Sequence, residues 1–367
     1  MTDLRVLHVI ARLTRDQGGL TSTLQGMCSA LALAGATCTV ACVGEGETLT
    51  DAQVLRFEPG RPRRFAASPR LKRWLSENAA RFDAIVAHGL WLSPTRYAYH
   101  AAKDAGRPFF LRPAGMLDPD ALSHHPLRKT LRWWLGERGM VRRASLLFST
   151  DEDRGRAVEA SRLTAARCHV VPNPVPESTF EIVRRPAHPP LVLCLNRLHP
   201  RKGVLQWVEA LELLNASHLE YEAVHAGPEE DAAYAADCRR ADKSRSVRWE
   251  GIVTAARVRQ WLGQAAVLVH PCTGFENFGM VIAEAMAAGV PVVASRRALL
   301  VPQLEREGLI EAVEPMPAEI SAALQRVLAN EAAVRQKAAR ASEYARRHFS
   351  LGVVGAQLAA LFKPDRA

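Results

Sequence analysis

At 367 residues the chain is longer than one domain usually is, and a prior of roughly 150 residues per domain suggests two. With 48% hydrophobic residues it can bury full cores, which excludes a disordered chain, and no run of about 18 apolar residues marks a transmembrane helix. Its 48 Lys and Arg against 38 Asp and Glu leave +10, a surplus that suits a nucleotide, a nucleic acid or an acidic membrane surface without choosing among them.

The N-terminus, Met1-Thr-Asp-Leu-Arg-Val-Leu-His8, lacks a charged region followed by an apolar stretch and a cleavage site. It reads as the start of a strand, Arg5 to Ile10, rather than as a secretory signal. After Gly18 and Gly19, the spacing predicts a helix from Leu20 to Leu33 with Leu20, Leu24, Met27 and Leu31 on one face. Gly35 is placed to stop it, and Thr37 to Val43 is the next strand. Further strands are predicted at Ala84 to Ala87, Phe109 to Leu111, Ser145 to Phe148 and His169 to Val171. Strands alternating with helical segments argue for parallel β-α-β units with helices on both faces. The cysteines, Cys28, Cys38, Cys42, Cys168, Cys194, Cys238 and Cys272, are odd in number, lack CxxC spacing and sit mostly in apolar runs. Reduced buried thiols fit better than a zinc site or a disulfide framework, and a cytosolic chain is the simplest reading.

The alternation breaks between Pro172-Asn-Pro-Val-Pro and Arg184-Arg-Pro-Ala-His-Pro-Pro, so an N-terminal domain is predicted over 1–175 and a linker over 176–189. The pattern restarts at Leu191 to Leu195 and continues through Tyr221 to Ala226, Val247 to Glu250, Val267 to His270 and Val290 to Ala294. That gives a second domain over 190–345 and a last helical segment, 346–367, free to pack back on the first domain. Two doubly wound, Rossmann-like α/β domains facing each other across a cleft are implied, with ligands beyond the carboxyl ends of the strands.

The stretch from Val267 to Ala294 carries the chemistry: strand, polar loop, helix, Gly stop, strand. Gly279 falls at the helix start, where the backbone N–H groups of Gly279, Met280 and Val281 lack helical partners and favour phosphate oxygens. Glu284 lies one turn on, in an almost wholly apolar helix of Ile282, Ala283, Ala285, Met286 and Ala287. A carboxylate there needs a partner or a ligand, and vicinal ribose hydroxyls could serve. Glu276, in the preceding loop, is placed to reach another part of the same ligand or simply to favour the helix dipole.

Glu276-Asn-Phe278-Gly-Met-Val-Ile-Ala-Glu284, followed by Ala-Met-Ala-Ala-Gly-Val-Pro-Val-Val, resembles the E-x7-E signature of retaining GT-B glycosyltransferases of the family 4-like, group 1 type. Gly18-Gly19, Asp83-Ala-Ile-Val-Ala-His88-Gly-Leu-Trp, Gly115-Met-Leu-Asp-Pro, Val171-Pro-Asn-Pro and Asn196-Arg-Leu-His-Pro-Arg-Lys-Gly resemble further blocks in the family's order, over nearly the whole chain. The resemblance implies a GT-B fold and transfer of a hexose-type sugar, with retention, from a nucleotide-diphosphate donor. It assigns Arg197 and Lys202 to the donor diphosphate, and two cations after a strand agree with that chemistry. Gly18 and Gly19 are assigned to close backbone approach, though on the glycines alone a plain turn serves equally. Phe278, Gly279, Met280 and Val281 are assigned to the donor, Glu284 to its ribose, Glu276 to sugar hydroxyls and His88 to the transferred sugar. No cofactor beyond the nucleotide sugar is implied, and no Asp-x-Asp metal pair is evident. The Gly115 block resembles bacterial enzymes of surface-polysaccharide assembly, which implies a glycan or lipid-linked glycan acceptor. The chain departs from the family pattern at Ala114, where an Arg is frequent, and after Ser295, where Arg-Arg-Ala-Leu-Leu-Val-Pro lacks the usual glycines.

Residues 127–143 are basic and amphipathic, with Leu127, Leu131, Trp134 and Leu135 on one face. They read either as a domain helix burying that face or as a contact with an anionic membrane surface, which makes the chain peripheral at the inner face of the membrane. A nucleic-acid partner has no recognised motif in its favour. A nucleotide-sugar epimerase of the same fold, or a non-catalytic sugar-nucleotide binder, remains as the other functional reading.

Overall fold

The computed structural model describes residues 4–14, 19–123, 126–217 and 219–363. The chain folds as two compact units, Met1–Pro174 with Phe349–Ala367, and Val175–His348.

Seven parallel strands form the sheet of the first unit: β1 (Arg5–Ile10), β2 (Thr37–Val43), β3 (Ala52–Phe57), β4 (Ala84–His88), β5 (Phe109–Arg112), β6 (Ser145–Phe148) and β7 (Cys168–Val170). Their order is β3-β2-β1-β4-β5-β6-β7. The chain runs outward from β1, returns and continues the other way from β4, so the direction reverses between these neighbours. Ile10 pairs with His88 across that line, and His8 with Val86. Side chains alternate along β1, and both faces are covered. Val6 and Ile10 pack with Met27 and Leu31 of the helix Gly19–Leu33, while Leu7 and Val9 pack with Leu71, Leu75 and Ala98. The last helix, Leu351–Phe362, lies on the first of these faces, where Phe362 and Phe110 have ring centroids 4.6 Å apart. Gly355 comes so close that a Cβ would stand 2.0 Å from the Ala30 carbonyl oxygen, which only glycine avoids.

The second unit repeats the plan with six parallel strands: β8 (Leu191–Leu195), β9 (Glu222–Ala226), β10 (Val247–Trp249), β11 (Ala265–His270), β12 (Val292–Ser295) and β13 (Glu311–Val313), in the order β10-β9-β8-β11-β12-β13. Here the reversal falls between β8 and β11. Trp207, Leu211 and Leu214 of the helix Val204–Asn215 pack with Ile320 and Leu324 against this sheet. The stretch 176–189, read in sequence as a linker, runs along this unit. The Arg184 guanidinium donates to the Leu262 and Ala265 carbonyls, and the Arg185 and Ala187 N–H groups donate to the carbonyls of Gly263 and Gln264.

Two strands were not expected, β3 and β13. Each lies at an edge of its sheet and is at most half-buried over most of its length, so neither leaves an apolar run in the sequence. The basic segment also differs from the single amphipathic helix expected. It comprises the helix Pro126–Arg132, a widened turn over Trp133–Glu137 with Gly136 at φ +147°, and the helix Arg138–Arg143. Leu131, Trp134 and Leu135 are 61, 65 and 67% exposed, so the inward-packing reading of that face fails for them. The turn instead directs Trp133 inward, beside Trp91. The Leu127 side chain lies outside the described residues. Among the described residues no helix is long and apolar enough to cross a membrane.

Candidate active site

In the second unit the chemistry gathers at the carboxyl ends of β8 and β11, the point where strand order reverses. After β8 the chain forms one tight turn, Pro200–Lys202, closed by Gly203 in the left-handed region (φ +67°). A Cβ at Gly203 would stand 2.0 Å from the Pro271 carbonyl oxygen, so glycine lets this turn press against the end of β11. The two loops then clasp. The N–H groups of Thr273 and Gly274 donate to the Arg201 carbonyl, and the Arg201 guanidinium donates to the Phe275 carbonyl at 2.9 Å.

That clasp sets Lys202 on Glu276, whose carboxylate accepts a charge-assisted bond from the ammonium. Burial works to raise the Glu276 carboxyl, but Lys202, His270 and Arg197 together outweigh it, and the group is held below the ordinary carboxylate range. Glu276 therefore stays ionised at neutral pH, in a half-buried ion pair. Its backbone is fixed from the other side: the Glu276 N–H donates to the Arg297 carbonyl, and the Leu299 N–H donates to the Glu276 carbonyl. The stretch after Ser295, which lacks glycines, thus braces the loop as a short parallel bridge of Glu276 with Ala298. The Glu276 side chain pairs with Lys202, and the following helix has no side-chain cap.

Gly279, at φ +75°, opens the helix Met280–Ala287, and no side chain caps it. Phe278 and Gly279 are buried, whereas Met280 and Val281 are half-buried at the first turn. Glu284 is half-buried among buried Ile282, Ala283, Ala285 and Met286, with no hydrogen-bonding partner among the described residues. Burial alone pushes its carboxyl up to about 7. A group so placed gains when a donor or a hydroxyl-bearing ligand reaches it. Arg197 stands on the rim, paired with Glu230 at 2.7 Å, and both are well exposed. One member of this cluster escaped the sequence reading. His270 ends β11, is 2% exposed, and neither ring nitrogen has a hydrogen-bond partner among the described residues. Burial first, then Lys202, lowers it to about 4 against the pull of Glu276, so it is a neutral ring.

In the first unit His88 ends β4 at the corresponding reversal of strand order. It is 3% exposed, and its Nε2 lies 3.0 Å from His8 Nδ1. Burial, then the charges of His8 and Arg112, hold it well below the ordinary histidine range, so it too is neutral. His88, with Arg12 and Arg64, lines a cavity of about 230 Å³ whose remaining lining residues, including Gly89 and Met116, carry no acidic group. Gly89 is in the left-handed region (φ +81°), and its carbonyl accepts from the Thr95 hydroxyl at 3.0 Å, which turns the chain sharply after His88. Gly19 opens the helix Gly19–Leu33, and Gly18 lies outside the described residues. The structure thus joins Lys202, Glu276 and the Gly279 helix start, with Glu284, on one unit, and sets His88 on the other.

Residues 18–174 match the glycosyl transferase 4-like domain, and residues 176–348 match the glycosyl transferases group 1 model. A phosphatidyl-myo-inositol mannosyltransferase of Propionibacterium freudenreichii subsp. shermanii is 33% identical over 148 residues, a match spanning 38% of this chain and 36% of that relative's length. Among solved structures, Anabaena HepE in complex with UDP and glucose superposes with a TM-score of 0.76 at 18% identity, covering 98% of this chain and 99% of that one. A glycosyltransferase from Rickettsia africae reaches 0.79 at 15% identity, covering 99% and 98%. The fold shared with these proteins is GT-B. With the two domain models following each other over nearly the whole of 18–348, the chain belongs to the glycosyltransferases built from a 4-like domain and a group 1 domain.

Proposed function

We propose that the chain transfers a hexose-type sugar, with retention, from a nucleotide-diphosphate donor to a glycan or lipid-linked glycan acceptor in bacterial polysaccharide assembly. The observation that carries this reading is the clasp in which Lys202 and Glu276 stand beside the uncapped Gly279 helix start, with Glu284 one turn on and without a partner among the described residues. A diphosphate suits the helix start and the two cations, Lys202 and Arg197, and ribose hydroxyls suit Glu284. HepE, of the same fold, is described in complex with UDP and glucose, which agrees in ligand class.

In this mechanism the acceptor hydroxyl attacks the face of the anomeric carbon that the diphosphate leaves, and a phosphate oxygen helps take its proton. The protein supplies position and charge: Lys202 and Arg197 neutralise the departing diphosphate, and Glu276 holds Lys202 in place. His88, being neutral, offers hydrogen bonds to sugar hydroxyls without placing a cation beside the reacting carbon. Because two cations serve the leaving group, a divalent metal on the diphosphate is not required, and added Mg2+ or Mn2+ should leave turnover unchanged.

Of the two acceptor classes, the lipid-linked one goes with a cytoplasmic chain that is peripheral at the inner face of the membrane. Support comes from the relative whose name couples a mannosyltransferase to phosphatidyl-myo-inositol, and from the exposed Leu131, Trp134 and Leu135 beside Arg138, whose guanidinium lies 4.5 Å from the Trp134 ring centroid. Cosedimentation with anionic vesicles should fall in the Trp134→Ala and Arg138→Glu variants, and unchanged binding in both contradicts the membrane contact. For the reaction itself, UDP-, GDP- and ADP-sugars are screened by thermal shift, then by release of nucleoside diphosphate. One donor series should stabilise the protein and be cleaved in an acceptor-dependent way. Interconversion of the donor without acceptor, or binding without release against every acceptor, contradicts transfer.

A further inference from the structure

Three side chains meet in the core of the first unit with no part in the glycosyl-transfer reading. Cys28 comes from the helix Gly19–Leu33, Cys38 from β2 and His8 from β1, and they are 0, 2 and 0% exposed. One ring nitrogen and the two sulfurs all lie within 4.8 Å of one another. Cys38 pairs in register with Val6, two residues before His8, so the strands bring both side chains to the face that the helix covers.

His8 Nδ1 is engaged by His88 at 3.0 Å, but His8 Nε2 is buried without a hydrogen-bond partner among the described residues. Leaving a buried imidazole nitrogen without a bond costs desolvation that a metal ion would offset. Among the described residues no other group of three His, Cys, Asp or Glu side chains converges in this way, although all seven cysteines are free and buried. Two sulfurs and one imidazole are the donors that a thiophilic d10 cation selects. Charge also decides: two thiolates and a neutral imidazole balance a divalent ion to zero, which a low-dielectric core tolerates.

We propose that His8, Cys28 and Cys38 are three protein ligands of a Zn2+ site in the core of the first unit, in contact with His88 through His8. Binding replaces the two S–H bonds by S–Zn bonds and releases both protons to solvent, so loading falls at acid pH. Zinc on His8 Nε2 leaves the ring N–H on Nδ1, which then donates to His88 Nε2. His88 must in turn carry its own proton on Nδ1. The site thereby selects the His88 tautomer, and only this consequence rests on the proposed function.

The full chain is produced in zinc-supplemented medium, desalted without chelator, and analysed for metal and by zinc-edge X-ray absorption. The expected result is about one zinc per chain, with two sulfurs at about 2.3 Å and nitrogen at about 2.0 Å. Cys28→Ser and Cys38→Ser should lose the metal while Cys42→Ser keeps it. Less than about a tenth of a zinc per wild-type chain, a shell without sulfur, or equal loading of Cys28→Ser overturns the proposal. If the serine variants fail to fold, the wild-type spectrum decides alone. None of these readouts depends on transfer activity, so failure of the site and failure of the proposed function are told apart.

Discussion

The two sheets reverse their strand order at equivalent places, and the strand after each reversal ends in a buried neutral histidine, His88 on β4 and His270 on β11. What surrounds these histidines differs. Around His270 stand a salt bridge, an uncapped helix start and the unpartnered Glu284, an arrangement of fixed charge suited to an anion with hydroxyls. Around His88 stand another histidine, the cations Arg12 and Arg64, and a cavity with no acidic lining residue among the described residues. One topology thus presents two chemistries, because the loops at the strand ends, not the sheets, carry the functional groups.

Removing the charge on one side should break this contrast most severely. Lys202→Ala takes a cation from the leaving group and leaves Glu276 half-buried without its ammonium, so turnover should fall about 100-fold or more in steady-state assays. Gly203→Ala tests how that charge is positioned. A left-handed backbone and a Cβ driven onto the Pro271 carbonyl should cost about 2–3 kcal/mol in denaturant melts, with activity lost in the same variant. The two histidines should separate by kinetic parameter. His88→Asn should lower turnover about tenfold at unchanged donor affinity, and His270→Asn should weaken donor affinity by a similar factor. The same behaviour in both variants removes the distinction between the two sites.

The smallest effect is a dependence on pH. The folded-state pKa of Glu284 is raised from the ordinary 4.5 to about 7, so the native state binds more protons than the unfolded chain between these values. Stability contributed by this group is present below 4.5 and lost as pH rises to 7. Glu284→Gln should therefore be more stable than wild type by about 1–2 kcal/mol at pH 8, with the difference gone at pH 4.5. Equal pH profiles would show that the carboxyl is solvated.

Most of this architecture is legible in the sequence because the central strands are buried on both faces and read as unbroken apolar runs, as in Leu191 to Leu195. β3 escapes because Gln53 and Arg56 interrupt Ala52–Phe57 at a sheet edge, which leaves neither an apolar run nor a strict alternation. Glu284 stands out in sequence because its helix is otherwise apolar. His270 does not, since Val-Leu-Val-His-Pro reads as a strand end whether its histidine is solvated or sealed. The exposure of Leu131 and Trp134 depends on the Gly136 turn, which breaks a periodicity that otherwise suggests one continuous helix. The meeting of His8, Cys28 and Cys38 depends on register between β1 and β2 and on helix packing, which spacing along the chain does not encode.

On the proposed function, the second unit clamps a nucleotide diphosphate through Lys202 and Glu284. Calorimetric titration of UDP, GDP and ADP into wild type, Lys202→Ala and Glu284→Ala tests it most directly. Saturable binding of one of the three to wild type is expected, weakened about tenfold or more in each variant whose fold is intact. No binding of any nucleotide, or equal affinity in all three proteins, contradicts it.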